Sequence, residues 1–200
     1  MHPKIFMEFE RICAERNPSG KVLEIGAIPH DMSLLCMNSL KNATEKVGLN
    51  LDGPYNFRDF SIVKGNANAM NCFEDDSFDV VLCNAMLEHD KYFWKTISEI
   101  HRLTKNGGLI VIGVPTFIRY GIEKIMSRLA KVPVIRKFSS QRYLHALFST
   151  TITYQVHSFP GDYYRFSEQA VKEVLFQGCK EVKTNTIMLP ARIIGSGIKT

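Results

Sequence analysis

The chain has no C-x-x-C pair. Its five cysteines, Cys13, Cys36, Cys72, Cys83 and Cys179, are odd in number and scattered. That spacing gives no support to a zinc site, a redox motif or a disulfide framework. Buried, reduced thiols are the reading that apolar surroundings favour for three of them. No apolar run reaches bilayer-spanning length; the longest, around Leu109 to Ile118, is about half of what a membrane helix requires. The first sixteen residues mix charges among apolar positions and do not read as a signal peptide. Repeats, low-complexity tracts and an obvious linker are absent. One domain is therefore expected over 1–200, in a cytoplasmic setting. No nucleic-acid recognition motif occurs, which argues against that class of partner. The glycine pattern G-x-G-x-x-G of dinucleotide-binding dehydrogenases is also missing: Gly26 is followed by A-I-P-H-D.

What is present is an ordinary globular composition, 45% hydrophobic and 22% charged, in 200 residues. Charge is uneven. Residues 1–115 hold 12 basic and 15 acidic side chains, net −3, whereas residues 116–200 hold 13 and 5, net +8. Much of the excess falls between Arg119 and Arg142. Such a stretch suits an anionic substrate or membrane surface, or is simply a solvated face. Phe117 to Leu129 has the spacing of a basic amphipathic helix. A helix packed on the sheet is the commoner meaning of that pattern, and membrane-surface contact the lesser one.

Strand-like and helix-like periods alternate. Helices are expected at Ile5–Glu15, Met32–Leu40, residues 91–104 and Ser167–Gln177. Strands are expected at Lys21–Gly26, Lys46–Leu51, Phe60–Val63, Phe78–Cys83 and Leu109–Val114. Two more are expected near Lys180–Leu189 and Arg192–Ile198. Asn106-Gly107-Gly108 reads as the stop signal of the 91–104 helix. The alternation implies an α/β fold, Rossmann-like and doubly wound, with a mostly parallel seven-stranded sheet and helices on both faces. Residues 117–165 read as an insert that could form a substrate lid.

Four stretches carry the chemistry. Val22-Leu-Glu-Ile-Gly26 is a strand delivered to a glycine turn, where backbone can approach a ligand. Gly48-Leu-Asn-Leu-Asp52 ends another strand in polar residues, and Gly65-Asn-Ala-Asn68 follows a third. Glu74 to His89 (EDDSFDVVLCNAMLEH) leads through a buried strand to a histidine at the mouth of the expected cleft. In this order the stretches resemble the class I S-adenosylmethionine-dependent methyltransferases, in particular methyltransferase type 11. The similarity runs from about Lys21 to Pro115. The family writes its first motif V/L-L-D/E-I/L-G-x-G, its third G-D-A, and its fourth D-x-S-F-D-x-V…L-E-H.

The resemblance implies S-adenosylmethionine as cofactor and S-adenosylhomocysteine as product. It implies Glu24, Gly26, Ala27 and Ile28 near the methionine end, and Asn50, Leu51 and Asp52 near the ribose. Asn66, Ala67 and Asn68 would lie near the adenine, and Asn84, Ala85 and Met86 at the end of the central strand. The chain departs from the family at three of these positions. Ile28 stands where a second glycine is usual, and Asn50 and Asn66 stand where the family has acids. An amide still accepts a hydrogen bond, without charge assistance. At about 1.4 kcal/mol each, the two exchanges lower affinity about a hundredfold.

His89 is either a general base toward a substrate hydroxyl or a packing residue. His157, Asp162, Tyr163, Tyr164 and Arg165, in H-S-F-P-G-D-Y-Y-R-F-S, offer an acid, two aromatic faces and a cation for orienting substrate. The structural reading has Arg165 pairing with Asp162 and Ser167 capping the next helix. The expected activity is methyl transfer to O or N of a small molecule, such as a sugar or other cell-envelope precursor. The rival is a degenerate member of the fold that binds or scaffolds without catalysis.

Overall fold

The computed structural model describes residues 1–117 and 161–200. The chain opens with helix α1 (Pro3–Arg16), whose one apolar stripe carries Ile5, Phe9 and Ile12. Proline sits in its first turn, where its missing N–H is no loss. Asn17 closes it in a left-handed conformation, φ 42°, donating its N–H to the Cys13 carbonyl. Strand β1 (Lys21–Ile25) follows, then β2 (Glu45–Asn50), β3 (Tyr55–Phe57), β4 (Phe60–Lys64) and β5 (Phe78–Asn84). Helix α2 (Phe93–Leu103) leads directly into β6 (Thr104–Pro115). After the undescribed stretch come α3 (Glu168–Ala170), continued by a π-helical turn Val171–Leu175, then β7 (Cys179–Ile187) and β8 (Arg192–Lys199).

The strands form one sheet in the order β3-β4-β2-β1-β5-β6-β8-β7. Pairs β1–β2, β1–β5, β2–β4 and β5–β6 are parallel; β3–β4, β6–β8 and β7–β8 are antiparallel. The expectation of a doubly wound, mostly parallel sheet holds, with eight strands rather than seven. The extra strand is β3, which hairpins onto the edge strand β4. Its three residues are short and largely exposed, so no alternating apolar pattern announces it.

Side chains alternate across the pleat and build two cores. On one face Leu23, Ile25, Leu49, Val81 and Ile112 meet Ile97 and Ile100 of α2 together with Phe166, Val171 and Phe176. On the other, Val22, Val80, Leu82 and Val111 meet Ile5, Phe9 and Ile12 of α1 with Leu34, Leu35 and Leu40. The contiguous run Val80-Val81-Leu82 is the signature of a strand covered on both faces.

Two local expectations are corrected. Met32–Leu40 is two short 3-10 turns, Leu34–Cys36 and Asn38–Leu40, not one helix. Met37 lies extended between them, φ −62° and ψ 136°, and Ser33 caps the first turn by accepting from the Leu35 N–H. The leucines are still buried, so packing tolerates the break. The Asn106-Gly107-Gly108 signal also does not end the helix. The helix stops at Leu103, and Thr104 Oγ1 donates back to the Ile100 carbonyl at 2.6 Å. Residues 105–108 instead form an irregularity in β6, where pairing with β5 jumps from Phe78↔Thr104 to Val80↔Leu109. Gly107, at φ 81°, absorbs it. The basic helix expected at Phe117–Leu129, the rest of the insert through residue 160, and His157 lie outside the described residues, apart from Phe117.

Candidate functional site

The chain runs outward from β1 through β2 to β4, then returns to β5 and runs outward the other way. This reversal leaves an uncovered crevice between the carboxyl ends of β1 and β5, the usual ligand position in open α/β sheets. A cavity of about 390 Å³ lies there, lined by Gly26, Asn50, Asn66, Met86, His89 and Tyr92 among others. Gly26 turns the chain at φ 82°, and a Cβ there would sit 3.4 Å from the Met86 side chain. The N–H groups of Gly26 and Ala27 both donate to the Leu49 carbonyl, at 2.8 and 3.2 Å. That brings the loop against β2, and Ala27 is wholly buried beside Gly48, where a Cβ would come within 2.5 Å of it. Ile28 is turned outward, 46% exposed, and does not line the cavity. Its branched side chain therefore stands clear of the cavity.

Asn50 explains itself as an amide. Its Nδ2 donates to the Ala27 carbonyl at 2.7 Å, and its Oδ1 accepts the Asp52 N–H at 3.1 Å. A carboxylate at this position would face a carbonyl oxygen, so the exchange ties the two loops instead of repelling them. Asn66 Oδ1 likewise accepts the Asn68 N–H at 2.9 Å. Asn68 Nδ2 donates to Asp90 Oδ2 and Thr96 Oγ1, at 2.7 and 2.8 Å, linking the 65–68 loop to the turn after β5 and to α2. Glu99 Oε2 accepts the Met70 N–H at 2.7 Å, while Arg102 holds Glu99 and the carbonyls of Met70 and Phe73. The Arg102 guanidinium keeps the Glu99 carboxyl below the ordinary carboxylate range despite partial burial.

The structure thus brings Gly26, Asn50, Leu51, Asn66, Ala67, Asn68, Ala85, Met86 and His89 to one cavity. Glu24, Ala27, Ile28, Asp52 and Asn84 stay outside its lining. Glu24 is buried, accepting from the Ser33 hydroxyl and from the Leu35 N–H at 3.3 Å. Burial pushes its carboxyl above the usual range, against the pull of those donors. Asn84 Oδ1 is buried without a hydrogen-bond partner, close to Gly113 and thus outside the crevice. Asp90, Lys91 and Tyr92 also line the cavity, and sequence reasoning passed over them. Their only signal was position, directly after the L-E-H run.

The D-Y-Y-R-F-S segment is stapled to the turn after β5. His89 Nδ1 meets the Gly161 carbonyl, the Tyr163 N–H donates to the Glu88 carbonyl at 2.7 Å, and the Tyr164 hydroxyl donates to the Lys91 carbonyl at 3.0 Å. The Phe166 N–H reaches the Pro115 carbonyl at 3.0 Å, and Phe93 packs edge-on against Tyr164 and Phe166. Arg165 pairs with a buried Asp162, and Ser167 Oγ caps α3 by accepting the Ala170 N–H. Beneath them Glu88, with no exposed side-chain surface, pairs with Arg192 of β8 at 2.7 Å.

Residues 29–112 match the family model of a methyltransferase domain. That matched stretch, under half of the chain, is similar to methyltransferase domains of the type 11 branch. The match begins at Pro29, past the Val22–Gly26 strand, and ends within β6. No curated protein matches the chain by sequence. Solved structures match the methyltransferase fold over nearly the whole chain. The Burkholderia thailandensis 1,6-didemethyltoxoflavin-N1-methyltransferase, solved with 1,6-didemethyltoxoflavin and S-adenosylhomocysteine, is 14% identical. It aligns with TM-score 0.65 over 98% of this chain and 78% of its own. The N-methyltransferase NodS of Bradyrhizobium japonicum, bound to S-adenosylhomocysteine, is 9% identical, with TM-score 0.62 over 98% and 86%. A chain from a Haloferax volcanii complex between a methyltransferase activator and a methyltransferase is 15% identical, with TM-score 0.61 over 98% and 90%.

Proposed function

We propose that this methyltransferase domain binds S-adenosylmethionine in the β1–β5 crevice and methylates an oxygen or nitrogen of a small molecule, with a sugar or other cell-envelope precursor as the acceptor class. The observation that carries the reading is the crevice itself: a cavity of about 390 Å³ at the strand reversal, opened by Gly26 and left clear by the outward turn of Ile28. Its size falls in the range of small-molecule sites. Bound there, the cofactor supplies a methyl group already activated on a sulfonium sulfur.

The chain's task is then positioning, worth up to roughly 7–11 kcal/mol of the barrier when reacting atoms are held in line. Gly26 and Met86 form the floor nearest β1 and β5, while Leu51 and Ala67 offer apolar wall. Asn50 Oδ1 and Asn66 Oδ1 each already accept one backbone N–H, and a carbonyl oxygen has a second lone pair for a ligand hydroxyl or amino group. His89 is the candidate base. Its Nδ1 faces a carbonyl, which only accepts, so Nδ1 carries the proton and Nε2 is the basic nitrogen. That tautomer suits removal of a proton from an acceptor hydroxyl or ammonium.

The test is calorimetric titration of the purified protein with S-adenosylmethionine and S-adenosylhomocysteine. Saturable micromolar binding supports the reading, and no heat up to millimolar ligand refutes it. With an acceptor in hand, His89→Ala is expected to lower kcat by a factor of about 10²–10⁴ while leaving cofactor affinity within about threefold.

A further inference from the structure

Beside the mouth of the cleft, aromatic rings stand in the open where a folded chain would normally bury them. Tyr92 is 48% exposed, Trp94 50% and Tyr163 50%. Phe93 and Tyr164, partly buried against the core, link these exposed rings. Tyr92 and Trp94 are 5.7 Å apart, Trp94 and Phe93 5.6 Å, Phe93 and Tyr164 5.0 Å, and Tyr164 and Tyr163 6.2 Å. Two exposed lysines flank it. Lys91 Nζ lies 6.0 Å from the Tyr163 ring and Lys95 Nζ 5.2 Å from the Tyr92 ring. Lys91 and Tyr92 belong to this patch and to the cavity lining at once, so the cleft opens onto it.

The composition and shape are informative. Tyrosine and tryptophan have an apolar body with a polar edge, and favour the level of lipid headgroups. Lysine extends an apolar stem while its ammonium meets headgroup phosphates. Trp94 and Tyr163 stand outside the cavity lining, so they suit a broad surface better than an enclosed solute. Lys91 and Lys95, exposed beside the Tyr163 and Tyr92 rings, are complementary to an anionic surface. No helix among the described residues is long and apolar enough to cross a bilayer, so contact would be peripheral.

We propose that the Tyr92–Trp94–Tyr163 patch, with Lys91 and Lys95, docks the protein on an anionic lipid bilayer and faces the cleft toward molecules held at headgroup level. Docking stands apart from the cofactor assignment; only the inference that the acceptor is presented at the surface rests on the reading above. Trp94 is the single tryptophan of the chain, so the patch carries its own reporter.

The experiment titrates the full chain with large unilamellar vesicles of phosphatidylcholine containing phosphatidylserine, and with phosphatidylcholine alone. Trp94 emission is followed, with brominated lipid as a depth-dependent quencher. The expected result is a blue shift and bromine quenching on the anionic vesicles, weakened by salt and nearly absent on the neutral ones. Lys91→Glu/Lys95→Glu is expected to lower the partition constant at least about tenfold. Met7→Ser, on the exposed side of α1 across the sheet, should leave it unchanged. Unchanged emission in excess lipid overturns the proposal. So does sedimentation with vesicles that leaves Trp94 unquenched, which would place contact elsewhere, or an equal emission change with inorganic phosphate in place of vesicles. A protein that binds no cofactor yet shifts on vesicles retains the docking surface and loses only the enzymatic reading.

Discussion

Arg192 enters β8 opposite Pro115, and its guanidinium pairs with Oε1 of Glu88 at 2.7 Å. Glu88 is entirely buried and Arg192 partly so, and Glu88 Oε2 has no hydrogen-bond partner. The carboxylate therefore leans heavily on one cation. Arg192→Met keeps much of the apolar stem but removes the one cation paired directly with Glu88, leaving only the more distant Arg165. Breaking a buried pair from one side costs about 3–5 kcal/mol, much of the roughly 5–15 kcal/mol that holds a domain folded. For a chain of this size that corresponds to a fall in Tm of about 6–20 °C. Glu88→Leu/Arg192→Met removes both charges, and should recover to within about 2 kcal/mol of the parent. Urea unfolding at pH 7, followed by circular dichroism, measures both variants. Because the Glu88 carbonyl also receives the Tyr163 N–H, the single variant should speed hydrogen exchange at Tyr163 more than at Leu23 in β1. A loss below about 1 kcal/mol for Arg192→Met, or a double variant no better than the single, would refute the account of Glu88 as a carboxylate held by one partner.

Other consequences are simpler to check. Glu24, raised above its ordinary value by burial, contributes stability that is complete below about pH 4.5 and declines as pH rises through its folded pKa. Glu24→Gln should therefore gain Tm relative to the parent at pH 8 and lose that advantage by pH 4.5. Burial lowers the pKa of His101, although its ring contacts the Leu175 carbonyl. Its contribution is present above pH 6.5 and lost as pH falls through the folded value, a loss that His101→Gln should remove from the pH–stability curve. Asn50→Asp places a charge against the Ala27 carbonyl, and is expected to cost about 1–3 kcal/mol in chemical unfolding instead of strengthening cofactor binding. Asn66→Asp adds charge at a position whose side-chain oxygen already accepts; by calorimetry it should tighten S-adenosylmethionine binding about tenfold.

Local chemistry was enough to read most elements. Val80-Val81-Leu82 and Leu109 to Val114 are buried strands on any arrangement that covers both faces of a sheet. Ile97, Ile100 and Leu103 form one helical stripe whatever they pack on. The same locality explains the failures. The leucines of 34–40 are as apolar in two 3-10 turns as in a helix, so the pattern cannot separate the two. Strand β3 gains its pairing from β4, and little in Tyr55–Phe57 advertises it.

In the candidate site the motifs placed Gly26, Asn50, Asn66, Met86 and His89 near one crevice, because strand ends are legible and such folds bind ligands there. Their hydrogen-bond partners were not legible. Asn50 bonds a carbonyl 23 residues away, His89 one 72 away, and Glu88 a guanidinium 104 away. The sequence by itself determined seven of the eight strands and the two long helices, since propensity and burial period act within a few residues. Only the tertiary structure decided that Asn50 ties the Ala27 loop to its own, that Ile28 turns to solvent, and that the D-Y-Y-R-F-S segment is hydrogen-bonded to the turn after β5. Each depends on which distant polar group the sheet order brings within about 3 Å, and a buried polar group must find such a partner or lose stability.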